Sequence, residues 1–238
     1  MKNTSKGYTL LESLITLALF SFLFLAGLSF LNSAKMHFHG LKDEYEAGES
    51  LYASCDRVRL DLEAAGAGLE DPLRLGLLPG VSDTNDRLLI RIGEPALVLP
   101  ADLQPGQTRI TLTDTSPFKK GRLACVFDDT GGEAVTVASV DPQSIVLTQP
   151  LQRGYPAADA RLVLVRTVEI YLDQSSGILR RKVNTSPAQP LLEETGAFQC
   201  RYDQITHLTR ISIQHEPSKE KNHAFSIRPK NLVLAGLQ

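Results

Sequence analysis

An uninterrupted apolar stretch lies near the start of the chain. Residues 8–31 read YTLLESLITLALFSFLFLAGLSFL, and Glu12 is the only charged side chain among them. As an α-helix this stretch would measure about 36 Å, which exceeds the roughly 30 Å thickness of the hydrocarbon core of a bilayer. The pattern therefore predicts a transmembrane helix over residues 8–31. A lone carboxylate is costly inside a membrane, so we expect Glu12 to have a partner there.

After residue 31 the hydrophobic positions recur at steps of three or four. One side of the predicted helix holds Phe38, Leu41, Tyr45, Gly48, Tyr52, Cys55, Val58 and Leu62. The opposite side is mostly charged, which is typical of a helix that packs one face on a protein core. We expect residues 32–66 to form the amphipathic half of one long helix, which ends at the glycines 66 and 68. Composition also permits a break near Gly40.

Beyond residue 66, short apolar runs alternate with turn residues, which is the pattern of antiparallel strands. We expect residues 67–93 to form a loop, over 71–86, and a first strand, over 88–92. We expect residues 94–161 to form a small inserted β module and residues 162–238 to form a C-terminal antiparallel sheet. The strands predicted in these two regions are 109–113, 123–127, 134–137, 144–148, 161–172, 178–182, 197–202, 208–215 and 224–227. With the N-terminal helix, these strands predict an α+β fold.

The overall composition gives little indication of a ligand. The formal net charge is −2 and charged residues make up 22% of the chain, so the bulk charge does not point to nucleic acid as a partner. The motifs of serine hydrolases, zinc proteases, dithiol oxidoreductases and phosphate-binding loops are absent from the sequence. We therefore expect no enzymatic activity, no catalytic residues, no cofactor and no metal.

One short acidic segment leaves a second interpretation open. Residues 128–133 read DDTGGE and place three carboxylates within six residues. Calcium prefers such oxygen ligands, although the further spaced oxygens of an EF-hand are missing. A hairpin turn explains the same residues.

The residues in front of the apolar stretch carry a second signal. Lys2 and Lys6 precede it, and the positive-inside rule then places the C-terminal bulk of the chain outside the cytoplasm. The sequence KGYTLLE over residues 6–12 resembles the class III signal of type IV prepilins and type II secretion pseudopilins. This resemblance implies a leader peptide over residues 1–7, cleavage by the prepilin peptidase after Gly7, and methylation of the new N-terminus at Tyr8. It also implies that Glu12 acts in subunit assembly.

The C-terminal part carries a further resemblance. From Val168 onward, a Y-x-L-D-x-x-x-G-x-L-x-R strand pair, a Pro-Leu-Leu-Glu segment and an R-I-S-I strand are similar to PilW-type minor pilins and J-type minor pseudopilins. Ser29 stands where major pilins usually carry a proline. These resemblances imply a structural subunit, a minor pilin that helps to initiate or cap a type IV pilus. The alternatives are a minor pseudopilin of a type II secretion system and a filament-borne module that binds a surface or DNA.

The same family implies the partners and the location of the chain. The partners would be other minor and major pilins or pseudopilins, the prepilin peptidase, the inner-membrane assembly platform and the lipid bilayer. The chain would cross the inner membrane once, with its C-terminal domain in the periplasm, before it is incorporated into a pilus or pseudopilus.

The three cysteines lie beyond the apolar stretch, in a compartment that would be oxidising. Cys55 is on the apolar side of the amphipathic helix, and Cys200 shares a strand face with Phe198 and Tyr202, so a bridge between Cys55 and Cys200 is possible. Cys125 is expected in a different small core, that of the inserted module. The alternative is three buried thiols that act as small hydrophobic side chains.

Overall fold

The computed structural model describes residues 9–84, 86–216 and 222–235. Within these ranges the chain forms three helices and thirteen strands. The helices are α1 (Leu10–Glu63), α2 (Glu70–Arg74) and α3 (Lys230–Leu234). The strands are β1 (Val81–Thr84), β2 (Arg87–Gly93), β3 (Leu97–Val98), β4 (Arg109–Thr111), β5 (Leu123–Asp128), β6 (Gly131–Asp141), β7 (Ser144–Leu147), β8 (Arg161–Asp173), β9 (Ile178–Val183), β10 (Gln189–Leu192), β11 (Thr195–Asp203), β12 (Leu208–His215) and β13 (Asn222–Ile227).

The chain divides into two compact units, residues 1–49 and residues 50–238. The described part of the first unit is the N-terminal portion of α1, in which the side chains of the apolar stretch are exposed. In the described residues, α1 is the one helix that is long and apolar enough to cross a membrane. Helix α1 continues without interruption to Glu63, so the break near Gly40 that composition permits is not present.

The second unit is built on two antiparallel sheets. A sheet of ten strands has the order β1-β2-β8-β5-β6-β7-β4, with β3, β9 and β10 paired off this path, and β11-β12-β13 form a separate sheet of three strands. Strand β8 organises the large sheet, since its first half pairs with β3 and β5 and its second half pairs with β2 and β9. The long N-terminal helix and the antiparallel sheets confirm the predicted α+β class.

Two hydrophobic cores lie in this unit. The first core joins the buried face of α1 with the inner faces of both sheets, and the second core is formed by residues 97–164 alone. The middle of the large sheet is buried on both faces: Val163 and Val165 of β8 face the first core, whereas Leu162 and Leu164 face the second. This double burial explains why β8 begins with a continuous apolar run instead of an alternating one. The boundaries proposed for an inserted module, 94–161, stay a prediction.

Two of the expectations for local structure were wrong. The predicted loop over 71–86 contains helix α2 and strand β1, and β1 forms an antiparallel pair with β2. The sequence VSDT of β1 is polar because this strand is an edge strand, and its last three residues are only partly buried or exposed. The residues 162–238, expected in one C-terminal sheet, are divided between the large and the small sheet.

The buried face of α1 also differs from the predicted one. The core side of the helix in the second unit holds Leu51, Cys55, Val58 and Leu62, and Tyr52 is 60% exposed. Both 51 and 52 lie within one turn of Cys55, so periodicity alone could not choose between them. Helix α1 ends at Glu63, and the expected terminating glycines are present: Gly66 and Gly68 have φ values of 79° and 68°, which favour glycine.

Candidate assembly site

The candidate site lies at the beginning of α1. Thr9 precedes the first helical residue, and its backbone N–H donates a hydrogen bond of 2.9 Å to Oε2 of Glu12. The Thr9 hydroxyl donates to the same oxygen at 3.1 Å, and the backbone N–H of Glu12 donates to Oγ1 of Thr9 at 3.3 Å. This reciprocal arrangement is a capping box, in which two otherwise unsatisfied backbone donors at the helix N-terminus find acceptors.

The capping box determines what Glu12 can still do. Both hydrogen bonds that Glu12 accepts from Thr9 end on Oε2, and no hydrogen bond to Oε1 is present in the part of the chain that the structure describes. The carboxylate therefore lies near the partial positive charge of the helix N-terminus and keeps one oxygen for a further donor. An amine or another cation could use that oxygen.

The apolar surface around this site is continuous. The helix from Leu10 to residue 34 carries no charged side chain except Glu12. Its large side chains are exposed, among them Leu10 at 83%, Phe20 at 67% and Phe30 at 73%. Such a surface is stable in lipid or against other apolar helices, and not in water. The structure thus describes a helix suited to a membrane that carries one partly satisfied carboxylate near its start.

The predicted cleavage and methylation site, Gly7 and Tyr8, lies outside the described residues. The sequence predicts Glu12 as a site residue, and the structure adds Thr9 as its hydrogen-bond partner. The signal for Thr9 was available, because Thr-x-x-Glu directly before an apolar run is the sequence pattern of a capping box.

The three cysteines all belong to the first core. Cys55 and Cys125 are free thiols and Cys200 is buried, so the possible bridge between Cys55 and Cys200 is not formed in this structure. Burial raises the pKa of Cys55 to about 11, and it raises the pKa of Cys125 and of Cys200 to about 12. The thiols are therefore protonated at neutral pH and chemically inert there. A bridge under oxidising conditions stays a prediction.

The placement of Cys125 in a separate module core was wrong. Cys125 and Phe127 lie on the face of β5 that contacts the first core, and Ala124 and Val126 lie on the face that contacts the second. Strand β5 pairs with β6 and β8 in the interior of the large sheet, and both of its faces are buried because each contacts one of the two cores. The apolar sequence LACVF could not indicate which face meets which core.

In the acidic loop that was considered as a calcium site, the carboxylates of Asp128 and Glu133 bind other groups of the chain. Oδ1 of Asp128 accepts hydrogen bonds from the backbone N–H groups of Thr130 and Gly131, at 2.8 and 3.0 Å. Arg153 binds both oxygens of Asp128, at 3.0 and 2.9 Å, and the guanidinium lies 5.0 Å from the ring centre of Tyr155. The Tyr155 hydroxyl donates to Glu133 at 2.9 Å. Two of the three carboxylates therefore stabilise the loop and its contact with residues 153–155.

The two arginines of β9 are paired with carboxylates of the chain. Arg180 pairs with Asp173 at 2.9 Å. Arg181 makes two hydrogen bonds to Asp61 of α1, at 2.6 and 2.8 Å, with both side chains largely buried. These arginines stabilise the second unit and are not a basic patch that is open to a partner.

Comparison with known proteins supports the interpretation of the N-terminus. Residues 2–28 match the prokaryotic N-terminal methylation motif. Comparison with curated protein sequences found no match. The matched residues contain Gly7, Tyr8 and Glu12, together with most of the apolar stretch.

Two solved structures show a limited similarity to the chain. The Gp54 tailspike of Acinetobacter baumannii bacteriophage AP22, in complex with A. baumannii capsular saccharide, is 17% identical with a TM-score of 0.25. The similarity covers 34% of this chain and 15% of the tailspike. The phage phi92 endosialidase is 8% identical with a TM-score of 0.22, over 60% of this chain and 32% of the enzyme. Similarities this low bear on neither the fold nor the function.

The motif and the structure agree on the N-terminal region. The motif is type IV prepilin-like, and it continues directly into the exposed apolar helix described above. A protein with such a helix and such a motif fits a membrane-anchored structural subunit rather than an enzyme. The chain carries the prokaryotic N-terminal methylation motif of type IV prepilin-like proteins.

Proposed function

We propose that the chain is a minor pilin that helps to initiate or cap a type IV pilus. The observation that carries this proposal is the match of residues 2–28 to the methylation motif, continued by an exposed apolar helix with a single carboxylate. Before assembly the helix anchors the chain in the inner membrane, with the second unit in the periplasm. Its partners are other pilins, the prepilin peptidase and the assembly platform.

Glu12 is the residue that sets the position of the subunit in the assembly. Cleavage after Gly7 would create a cationic amine at Tyr8, and this amine, from the same or an adjacent subunit, can pair with Glu12. The attraction between opposite charges is stronger in hydrocarbon than in water, although desolvation of both groups offsets part of it. Oε1 of Glu12 is the oxygen that the capping box leaves for this contact.

A minor role is favoured over a major one by two features of the sequence. Ser29 lies where major pilins usually have a helix-breaking proline, and α1 continues through this position without a break. The chain of 238 residues is also larger than is usual for a major subunit. By analogy with the family, both features are typical of a minor subunit.

The test of the assembly role compares two variants at Glu12. Glu12→Gln keeps a hydrogen-bond acceptor for Thr9 and removes the charge, and Glu12→Val removes both. We expect both variants to be inserted and cleaved like the wild type, and to crosslink to partner pilins about tenfold less, the loss expected for about 1.4 kcal/mol. Crosslinking as strong as in the wild type would overturn the ion-pair account.

The minor role is tested by counting pili on cells that lack the gene and by locating the subunit in the filament. Deletion of the gene should lower the number of pili per cell without changing the amount of major subunit, and antibody against the second unit should label filament ends. Labelling along the whole filament would contradict the minor role. A loss of protein secretion with no effect on pili would assign the chain to a secretion system.

A further inference from the structure

Two arginines lie directly opposite each other on the exposed face of the three-stranded sheet. Arg201 of β11 and Arg210 of β12 are cross-strand partners, and both side chains are exposed. Side chains at such positions project to the same face about 5 Å apart, and like charges in this arrangement destabilise a sheet. The fold alone gives no reason for this pair.

The pair differs from five other arginines of the second unit, although Arg91, Arg161 and Arg166 of the strands also have no carboxylate within 4 Å among the described residues. Arg87, Arg109, Arg122, Arg180 and Arg181 each lie within 4 Å of a carboxylate. Among the described residues, neither Arg201 nor Arg210 has such an ion pair. The pKa of the Asp203 carboxyl is lowered, mainly by hydrogen bonds from residues 205 and 206 in the turn and to a smaller extent by the charge of Arg210. Oδ1 of Asp203 accepts hydrogen bonds from the backbone N–H groups of residues 205 and 206, and no carboxylate oxygen of Asp203 lies within 4 Å of Arg210 among the described ion pairs.

Both arginines line a depression of about 700 Å³. Gln199 and Ser226 line the same depression and offer an amide and a hydroxyl group, whereas the Ser212 hydroxyl, which also lines it, donates to Oδ1 of Asn222. Asp83 also lines it, so the two guanidiniums and this carboxylate leave a net charge of +1. A site with this charge and these hydrogen-bonding groups fits one oxyanion better than a polyanion.

We propose that this depression is an oxyanion-binding site that takes a carboxylate or phosphate group of a ligand. Guanidinium groups present several N–H donors in a fixed plane, which match the paired oxygens of such anions. Arg201 and Arg210 hold the anion from two strands, and the Ser226 hydroxyl and the Gln199 amide donate further hydrogen bonds. Anion binding also relieves the repulsion between the two guanidiniums. The site is independent of the assembly role of Glu12.

The test uses the full chain in a non-ionic detergent and isothermal titration calorimetry. Sodium phosphate and sodium acetate are the two probes, with ionic strength held constant by sodium chloride. The variants are Arg201→Gln, Arg210→Gln and the double variant, and the control is Arg166→Gln, another exposed strand arginine without an ion pair among the described residues. We expect saturable binding of at least one probe, weakened at least about tenfold in the double variant and unchanged in the control. The probe that binds identifies the chemistry of the ligand.

A thermal unfolding measurement separates binding from a structural role. If the pair serves a ligand, the double variant should melt at the wild-type temperature or above it, because a repulsion is removed. A lower melting temperature, no saturable binding to the wild type, or equal affinity in the double variant would each overturn the proposal.

Discussion

Glu12 shows how a carboxylate at a helix start can be partly satisfied from within its own chain. The sequence marks it as a lone carboxylate in an apolar run, and from that pattern alone it needs a partner. The structure supplies part of the answer from within the chain, since Thr9 donates two hydrogen bonds to Oε2. The carboxylate can therefore enter the membrane partly satisfied and still use Oε1 in an assembly.

The capping box is tested by Thr9→Ala, with Thr9→Ser as the matched control. Loss of an N-cap hydroxyl costs about 0.5–2 kcal/mol of helix stability, whereas serine keeps the hydroxyl. We expect faster hydrogen exchange at residues 10–13 in the alanine variant, measured in detergent micelles, and wild-type exchange in the serine variant. Equal protection in all three proteins would show that the box does not hold the helix start.

The contribution of the Asp128 carboxylate to the stability of its loop should depend on pH. Burial raises its pKa, but hydrogen bonds from Thr130 and Gly131 and the charge of Arg153 outweigh this effect, so the pKa lies below its ordinary value. A depressed pKa means that the carboxylate stabilises the fold above the unfolded-state pKa of about 3.9, and that this contribution is lost as pH falls through the folded-state pKa.

Asp128→Asn should therefore destabilise the chain by about 1–3 kcal/mol at neutral pH, because Arg153 and the loop amides lose a charged acceptor. The difference from the wild type should shrink as the pH falls to 3. Urea unfolding at both pH values measures it. Asp129→Asn, at the exposed neighbouring position, is the control and should have little effect at either pH. A difference that does not change with pH would rule out the carboxylate charge as the cause.

At the level of whole elements, the spacing of hydrophobic residues and the positions of turn residues predicted most strands. The core strands are strongly apolar and are bounded by turn residues. Strand β1 was missed since an edge strand needs little burial, and its residues are polar. The buried face of α1 was shifted by one residue at Leu51, where two apolar side chains compete for one face. Which face of β5 meets which core depends on long-range pairing, which local pattern does not contain.

The junction between α1 and β9 is the element contact that sequence reasoning did not find. Arg181 and Asp61 are 14% and 8% exposed and are bound through two hydrogen bonds. The two residues are separated by 120 positions along the chain, so no pattern of local spacing could indicate this pair. Removing one partner of a buried ion pair leaves the other charge buried and uncompensated, which typically costs about 3–5 kcal/mol.

Asp61→Asn should accordingly lower the free energy of unfolding by about 3–5 kcal/mol, measured by urea denaturation of the full chain. Asp56→Asn is the matched control on the same helix, because its ion pair with Arg59 is exposed and should be worth less than about 1 kcal/mol. If both variants lost the same stability, the contact between α1 and β9 would not be the cause.

For the whole molecule, the sequence predicts the apolar helix over residues 8–31 more fully than it predicts which residues share a hydrophobic core. An apolar stretch with a preceding glycine and one carboxylate is a local signal, and its position relative to Lys2 and Lys6 is enough to predict orientation. The sharing of β5 and β8 between two cores is not local, because each core collects residues from distant parts of the chain. The methylation motif is a local signal of the first kind and lies within residues 2–28.

The processing of the whole chain is the last prediction. If the leader is a class III signal, the protein from its native membrane begins at Tyr8, lacks residues 1–7 and carries one added methyl group. Intact-mass measurement decides this. Gly7→Val should keep the leader, because the peptidase requires a small residue before the cleaved bond, and Gly7→Ala should still be cleaved. A mature mass that retains residues 1–7, or cleavage beyond residue 31, would contradict the assignment. It would also remove the cationic amine at Tyr8 on which the pairing of Glu12 depends.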